Sequence, residues 1–536
     1  MSDPADGSAV SRRQLLQMIG VTAGSAAMYQ AMAALGFAAE SPWRAPIELG
    51  AAPHDASVLV LGAGMAGMTA AYELRNAGYR VQVLEYNSRA GGRNWSLRGG
   101  DTYTELGGFT QHCQFEPDLY LNPGPWRIPY HHRGMLHYCK RLGVALEPFI
   151  QVNYNALLHN SQAYGGQPKR FREIKADYQG HVAELLAKAT RQSALDEALS
   201  REDREKLLES LRDWGALDGN FAYVAGDSSG DRRGYQKKPG GGLSGRPVYS
   251  EPMGLGEILD ARLWEGIAQG DAFDWQSTIF QPVGGMGRIG EAFGRELGPL
   301  IRYGARVTEI HQDAGGVTVH YEDRNSAGSM LSARADWCVC TIPLPILAQL
   351  PMNVGAAMGA AIRAVPYASA VKIGLQFRRR FWEEDDAIYG GISYTDLPIA
   401  CIGYPNTGYH SAGKGVLLGA YMWGLHAMEF TAMRPEDRVQ KALEYGSQIH
   451  PQYRAEFEHG IAVAWHRAPF TMGCYGMWND ASRAQHYDQL CRLDQRIVLA
   501  GEHASFIGGW QEGAVTSALD AIGRLHQRAL AQGAAT

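Results

Sequence analysis

An α/β fold of more than one domain is predicted by three observations in this chain of 536 residues. A β-branched and leucine-rich run, Ser57 to Leu61, ends in a glycine turn and leads into a helical stretch and a second strand, Arg80 to Leu84. Residues 171–214 are charged, rich in Ala and Leu and almost free of glycine, which marks a helical insertion. Residues 370–423 are rich in strand-forming residues and read as an antiparallel sheet. The prediction is therefore a parallel-sheet domain, an antiparallel-sheet domain and a helical insertion in one chain.

Composition narrows the function classes. The length exceeds what one compact core supports. With 45% hydrophobic residues, 12 Trp and 26 Tyr, wholesale disorder is excluded. A net charge of −5 leaves no basic footprint for nucleic acid. Seven cysteines are too few for a disulfide scaffold, and their odd number leaves at least one thiol unpaired. Glycine is in excess, 65 residues, well above the usual share of about 7%. With no repeat to explain it, the excess points to turns and close backbone approaches.

Residues 1–40 read as an export address. Ser11-Arg12-Arg13-Gln14-Leu15-Leu16 precedes an uncharged Ala-, Gly- and Met-rich stretch up to Ala39, the pattern of a twin-arginine signal. The stretch is only mildly apolar, so no stable membrane span is expected in the mature protein. A periplasmic or secreted location is expected, with cleavage near Ala39 or near Ala51-Ala52.

The next elements build a phosphate site. In Gly62-Ala63-Gly64-Met65-Ala66-Gly67, Gly62 permits the tight turn, Gly64 lets the backbone approach a pyrophosphate, and Gly67 lets helix and strand pack closely. The helix start offers free N–H groups, and Glu85, at the end of the second strand, offers a carboxylate to ribose hydroxyls. This is a Rossmann-like dinucleotide signature. Ser88-Arg89-Ala90-Gly91-Gly92-Arg93 follows directly. Glu105-Leu106-Gly107-Gly108, Gln281 to Gly287, Ile497 to Glu502 and Gly508-Gly509-Trp510-Gln511-Glu512-Gly513-Ala514 come later in the chain.

In these segments and their order, the chain resembles the flavin-containing amine oxidases, and within them the L-amino-acid oxidases, from about Ser57 to Leu530. The resemblance implies an FAD-binding Rossmann-like (GR2-type) domain at 55–110, 275–345 and 460–530. It implies a substrate domain at 111–165 and 346–460, with the helical insertion at 166–274. Residues implied to meet FAD are Gly62, Gly64, Met65, Ala66, Gly67, Glu85, Arg89, Gly91, Gly92, Arg93, Trp126, Val307, Trp465, Glu502, Gln511, Glu512, Gly513 and Ala514. The terminal helix, with Ala514, Ala518, Ala521, Ile522 and Leu525 at helical spacing, would aim its N-terminus at the flavin and stabilise negative charge there.

The resemblance also supplies a substrate side. Arg127, in Gly124-Pro125-Trp126-Arg127, matches the arginine that pairs bidentately with a substrate carboxylate, a task suited to its planar fork. Tyr404 resembles the tyrosine that adds a second hydrogen bond, with a core strand tyrosine as the plainer alternative, and Gly509-Trp510 the pair beside the flavin. Lys372 interrupts an apolar strand with a charge that must be paired or solvated. In the family the matching lysine holds water at the flavin and assists imine hydrolysis or oxygen reaction; an ion-paired edge-strand lysine is the plainer alternative. The implied reaction is oxidative deamination of an L-amino acid with O2, giving H2O2, NH3 and a 2-oxo acid, with no metal and in a homodimer. Two other chemistries share these motifs, oxidation of a non-carboxylate amine and an amide-forming monooxygenation. FAD is expected to be non-covalent, although Cys474 stands where monoamine oxidases attach flavin. The proton acceptor is left open.

Overall fold

The computed structural model describes residues 41, 43–192, 199–326 and 328–533. The twin-arginine segment, residues 1–40, lies outside the described residues.

Five parallel strands form the central sheet, in the order Ile301–Tyr303, Arg80–Glu85, Ser57–Leu61, Trp337–Cys340, Ile497–Leu499. Its strands come from three distant stretches of chain, joined in register at Leu61 with Leu84 on one side and Cys340 on the other. Both faces are covered. Val58 and Val60 enter one core with the Met65–Asn76 and Gln511–Gly533 helices, while Leu59 and Leu61 enter another with Val307, Ile310 and Val319. Burial on both faces explains why the strand reads as a continuous apolar run rather than an alternating one.

The second domain is a seven-stranded sheet, Lys169–Arg170, Leu157–His159, Ile392–Thr395, Cys401–Gly403, Gly415–Trp423, Ala370–Phe377, Phe457–Ala464. All neighbours are antiparallel except Leu157–His159 with Ile392–Thr395. The Ala370–Phe377 strand lies between Gly415–Trp423 and the edge strand Phe457–Ala464 and is buried throughout. A separate antiparallel sheet, Ala305–Asp313, Gly316–Asp323 and Ser329–Ala335, presents Val307 beside the parallel sheet.

The insertion contains the Phe171–Arg191 and Arg201–Gly215 helices. The glycine-, serine- and lysine-rich stretch at 225–250 carries more order than its composition indicates. It holds a helix, Asp227–Arg233, and a hairpin of Tyr235–Lys237 with Val248–Tyr249. Arg233 anchors it by donating to the fully buried Asp177 at 2.8 Å. The Gln281–Gly287 segment begins as a strand, Ile279–Pro282, which pairs with Ile128–Pro129 and Leu146–Phe149 rather than with the central sheet. Among the described residues no helix is long and apolar enough to cross a membrane. All seven cysteines are unpaired thiols.

Candidate active site

A cleft of about 1610 Å³ runs from the glycine turn of the parallel sheet to the antiparallel sheet. At its near end the backbone itself is the wall. Gly62 adopts φ +102°, and a Cβ on Gly67 would fall 1.9 Å from the Gly62 carbonyl oxygen, so the helix seats directly on the turn. Gly64, Met65 and Ala66 open the Met65–Asn76 helix and line the cleft. A Cβ on Gly92 would stand 3.1 Å from the Gly64 Cα, so this second glycine loop lies against the first.

Two carboxylates on this side are already committed. Glu85 Oε2 accepts from Ala63 N at 2.6 Å, and Oε1 accepts from Asn87 N and Nδ2, both at 2.7 Å. Glu502 accepts from Gly476 N at 3.0 Å, Gly509 N at 3.3 Å and Arg93 Nη1 at 3.1 Å. Glu85, Gly91, Gly92, Arg93, Val307, Trp465, Glu502, Gln511 and Ala514 all line the cleft. Trp465 is fixed by its indole N–H donating to Pro123 O at 2.8 Å. The Gln511–Gly533 helix starts here, its positive end toward the cavity. A glycine cradle, a helix start and free wall space for an extended ligand fit a flavin dinucleotide.

Five residues expected at the cofactor stand off the cleft wall. Gly67 and Gly513 lie behind it as close-approach positions, with a Cβ on Gly513 falling 2.2 Å from Ile507 O. Arg89 braces the glycine loop from outside, donating to Gly92 O at 2.8 Å and stacking on Trp95 at 4.2 Å. Glu512 faces away. It accepts from Gly134 N at 2.9 Å and Met135 N at 2.7 Å, and from the Ser41 hydroxyl, so it serves the first turn of the Arg133–Arg141 helix. Trp126 lines a neighbouring cavity instead, packed edge-on to Phe149 and Tyr421.

That neighbouring cavity, about 410 Å³, shares Trp275, Tyr421 and Trp423 with the main cleft and holds Arg127. Arg127 is 5% exposed and no carboxylate pairs with it among the described residues. Its Nε has no hydrogen-bond partner, and its guanidinium carbon lies 5.4–5.8 Å from the rings of Trp126, Phe149, Trp275 and Trp510. Gly509 and Trp510 line the main cleft.

Lys372 is buried on an interior strand of the antiparallel sheet, without an ion pair among the described residues. Its Nζ donates to Gly124 O at 2.6 Å and Asn122 O at 3.3 Å and lies 4.2 Å over the Tyr421 ring. Burial pushes its pKa down to about 7, with Arg127 adding to the fall. It stands one layer behind the cleft, touching the wall residues Gly124 and Tyr421.

Tyr404 requires correction. Its hydroxyl lies 2.6 Å from His450 Nε2 and 2.7 Å from Ser393 Oγ, and its ring belongs to the core of the antiparallel domain. The reason is strand parity. Cys401 lines the Arg127 cavity, so Ile402 and Tyr404 turn to the opposite face. The phenols at the Arg127 cavity are Tyr394 and Tyr421. Tyr421 pairs in register with Lys372, a neighbour that only the folded sheet brings to it. The main cleft also gains Asp274 and Trp275, from the end of the insertion.

Cys474 lines the cleft, but burial pushes its thiol up to about 12.

Comparison with known proteins agrees with this geometry. The L-amino acid oxidase of Bothrops pictus is 31% identical over 482 residues, covering 87% of this chain and 89% of that protein. The L-amino-acid oxidase of Siganus canaliculatus is 27% identical over 492 residues, 88% of this chain and 86% of that one. Among solved structures, cyclohexylamine oxidase from Brevibacterium oxydans superposes with a TM-score of 0.58 at 16% identity, covering 88% of this chain and 99% of its own. Putrescine oxidase bound to putrescine gives 0.56 at 16% identity, with 90% and 99% covered. The model of the flavin-containing amine oxidoreductases matches residues 65–525, and the chain belongs to that family, as an oxidoreductase acting on CH–NH2 with a flavin cofactor.

Proposed function

We propose that the protein is an L-amino-acid oxidase holding FAD non-covalently and using O2 as acceptor. The observation that carries this reading is Arg127, a buried cation left without a counter-charge among the described residues, in an aromatic enclosure that shares Trp275, Tyr421 and Trp423 with the cleft. An unpaired buried charge costs several kcal/mol, so a site that keeps one is built for an anionic ligand. A carboxylate meets both arms of the guanidinium, and an amine without one would leave the arginine unpaired. Relatives named L-amino-acid oxidases supply the configuration. The fold neighbours that oxidise putrescine and cyclohexylamine share the architecture alone.

When bound, FAD supplies a two-electron acceptor whose electrons pass on to O2 as hydrogen peroxide. The chain contributes position and charge. Arg127 fixes the carboxylate, Trp510 walls the α-carbon, and Tyr421 closes the side toward Lys372. The amine of Lys372, behind Gly124 and Tyr421 and with its pKa near 7, is able to exchange protons during hydrolysis of the imino acid to 2-oxo acid and ammonia. Cys474, held as the thiol, is a poor nucleophile, in keeping with non-covalent cofactor. Export by the twin-arginine route, which carries folded proteins, suits an enzyme loaded with cofactor beforehand; a homodimer belongs to the same reading.

The test is the purified holoenzyme with a panel of L- and D-amino acids and simple amines, scoring peroxide, ammonia and oxo acid. Turnover of L-amino acids with all three products is expected. Amide product, or turnover of amines alone, overturns the reading.

A further inference from the structure

Three carboxylates line the main cleft, and two of them, Glu85 and Glu502, spend their oxygens on backbone N–H groups. The third is Asp274. It sits in the short Phe273–Trp275 turn at the end of the insertion, 5% exposed, and its Oδ1 has no hydrogen-bond partner. Beneath it lie two histidines from the segment that also carries Arg127. His131 Nε2 is 3.1 Å from Asp274 Oδ1, in contact but out of hydrogen-bond alignment, and His132 Nε2 is 4.0 Å away. The His131 ring stacks on Phe273 at 4.4 Å, and His132 meets Trp510 edge-on at 4.9 Å. Both nitrogens of His131 and the Nε2 of His132 are buried without partners. Buried polar atoms are rarely left so, and four in one cluster against the cleft wall point to a group that arrives from outside.

We propose that Asp274 is the proton acceptor for the substrate ammonium, with His131 as the positioning residue that shares the proton. In the step, an N–H bond of the ammonium breaks and its electron pair stays on nitrogen. The proton bonds to Asp274 Oδ1, and two opposite charges are neutralised without any oxidant. The proton is shared with His131 Nε2 until product leaves. The amine is then neutral, as loss of hydride from its carbon requires.

The surrounding charges fit this role. Arg127 lies across Trp275 and Trp510, with Lys372 behind it. His132 is held neutral by burial and by its neighbour His131, its pKa well below the usual imidazole value. Glu512, on the far side of His131, is occupied by the Gly134 and Met135 N–H groups. Just before its turn Asp271 is exposed, and Tyr421 faces from the antiparallel sheet. The inference rests on amine oxidation alone, so it stands apart from the identity of the substrate's carboxylate.

Anaerobic flavin reduction of the holoenzyme, measured from about pH 6 to about pH 10, tests it. Asp274→Asn is expected to slow reduction by roughly 10²–10⁴-fold near neutrality, the usual worth of a positioned acid or base. The loss should shrink as pH rises and the substrate arrives as free amine. His131→Gln should shift the acidic limb of the same profile with a smaller loss. A loss equal at every pH, or an unchanged profile, overturns the proposal. If Asp274→Asn fails to retain flavin absorbance, the His131→Gln profile decides, an unshifted limb counting against it. The three side chains also lie close enough to hold a metal ion, their ligand atoms all within 4.8 Å. Stoichiometric metal whose removal by chelator stops flavin reduction would therefore overturn the proposal too. Should only non-carboxylate amines reduce the flavin, the amino-acid reading fails while this test runs unchanged on that amine.

Discussion

The two ends of the cleft handle charge in opposite ways. At the cofactor end, Glu85, Arg93 and Glu502 are tied to backbone and to one another, and the wall is glycine backbone, with no room for a Cβ at Gly62 or Gly91. At the substrate end, Arg127, Lys372 and Asp274 are buried without an aligned ionic partner. The first end is finished before any ligand arrives and contributes shape. The second is incomplete and contributes unspent electrostatic interaction, which a zwitterionic substrate completes.

The contrast breaks most completely at Gly67. A methyl group there must displace the Gly62 carbonyl, and overpacking of this kind costs about 1–3 kcal/mol while moving the turn off its ligand. Gly67→Ala is expected to purify largely as colourless apoprotein, read from absorbance near the flavin bands. Retained flavin at full stoichiometry would show that the cradle tolerates movement.

Arg127→Met comes next and acts on the other end. Two charge-assisted hydrogen bonds at about 1.5–3 kcal/mol each are lost. That corresponds to a fall in kcat/KM for amino acids of roughly 10²–10⁴-fold. Flavin content should stay the same, because Arg127 lies outside the cleft wall. Equal losses for amino acids and for a simple amine would mean that the arginine serves structure.

Lys372→Met tests the same incompleteness through stability. Burial lowers the folded-state pKa from 10.5 to about 7, so between those values the unfolded chain binds more protons and stability rises with pH. The parent therefore carries a penalty below about pH 7 that fades toward about pH 10. Lys372→Met should have the higher Tm near pH 6, with the difference narrowing as pH is raised, while reoxidation by O2 slows markedly. A constant Tm difference would mean that the amine is not held as the burial indicates.

Legibility in the sequence follows the same division. The cofactor end is backbone chemistry. Glycines, a helix start and an acid at fixed spacing are local, so Gly62 to Gly67, Glu85 and Gly91 to Arg93 could be read directly. The substrate end is assembled by tertiary contact. Asp274 and Trp275 reach the cleft only because the insertion folds back, and no local pattern announces them. Trp126, Glu512 and Arg89 lie beside residues that do line the cleft, and which side of the wall each takes depends on packing. The 225–250 stretch has loop composition, yet a buried Asp177–Arg233 pair orders it from a distant helix.

The smallest expected effect separates two tyrosines that sequence alone does not distinguish. Tyr404 follows a strand whose odd positions face the Arg127 cavity, so its own hydroxyl is turned into the core and meets His450 and Ser393. Tyr421 lies opposite Lys372 on the neighbouring strand and lines both the main cleft and the Arg127 cavity. Tyr404→Phe should lower Tm, since two buried partners lose a hydroxyl at about 1–3 kcal/mol, and leave KM unchanged. Tyr421→Phe should raise KM for amino acids by the worth of one hydrogen bond, about 0.5–1.5 kcal/mol, or a few-fold to about tenfold. A raised KM in Tyr404→Phe with unchanged Tm would reverse the assignment, and with it the strand parity that places Arg127, Cys401 and Tyr421 around one cavity.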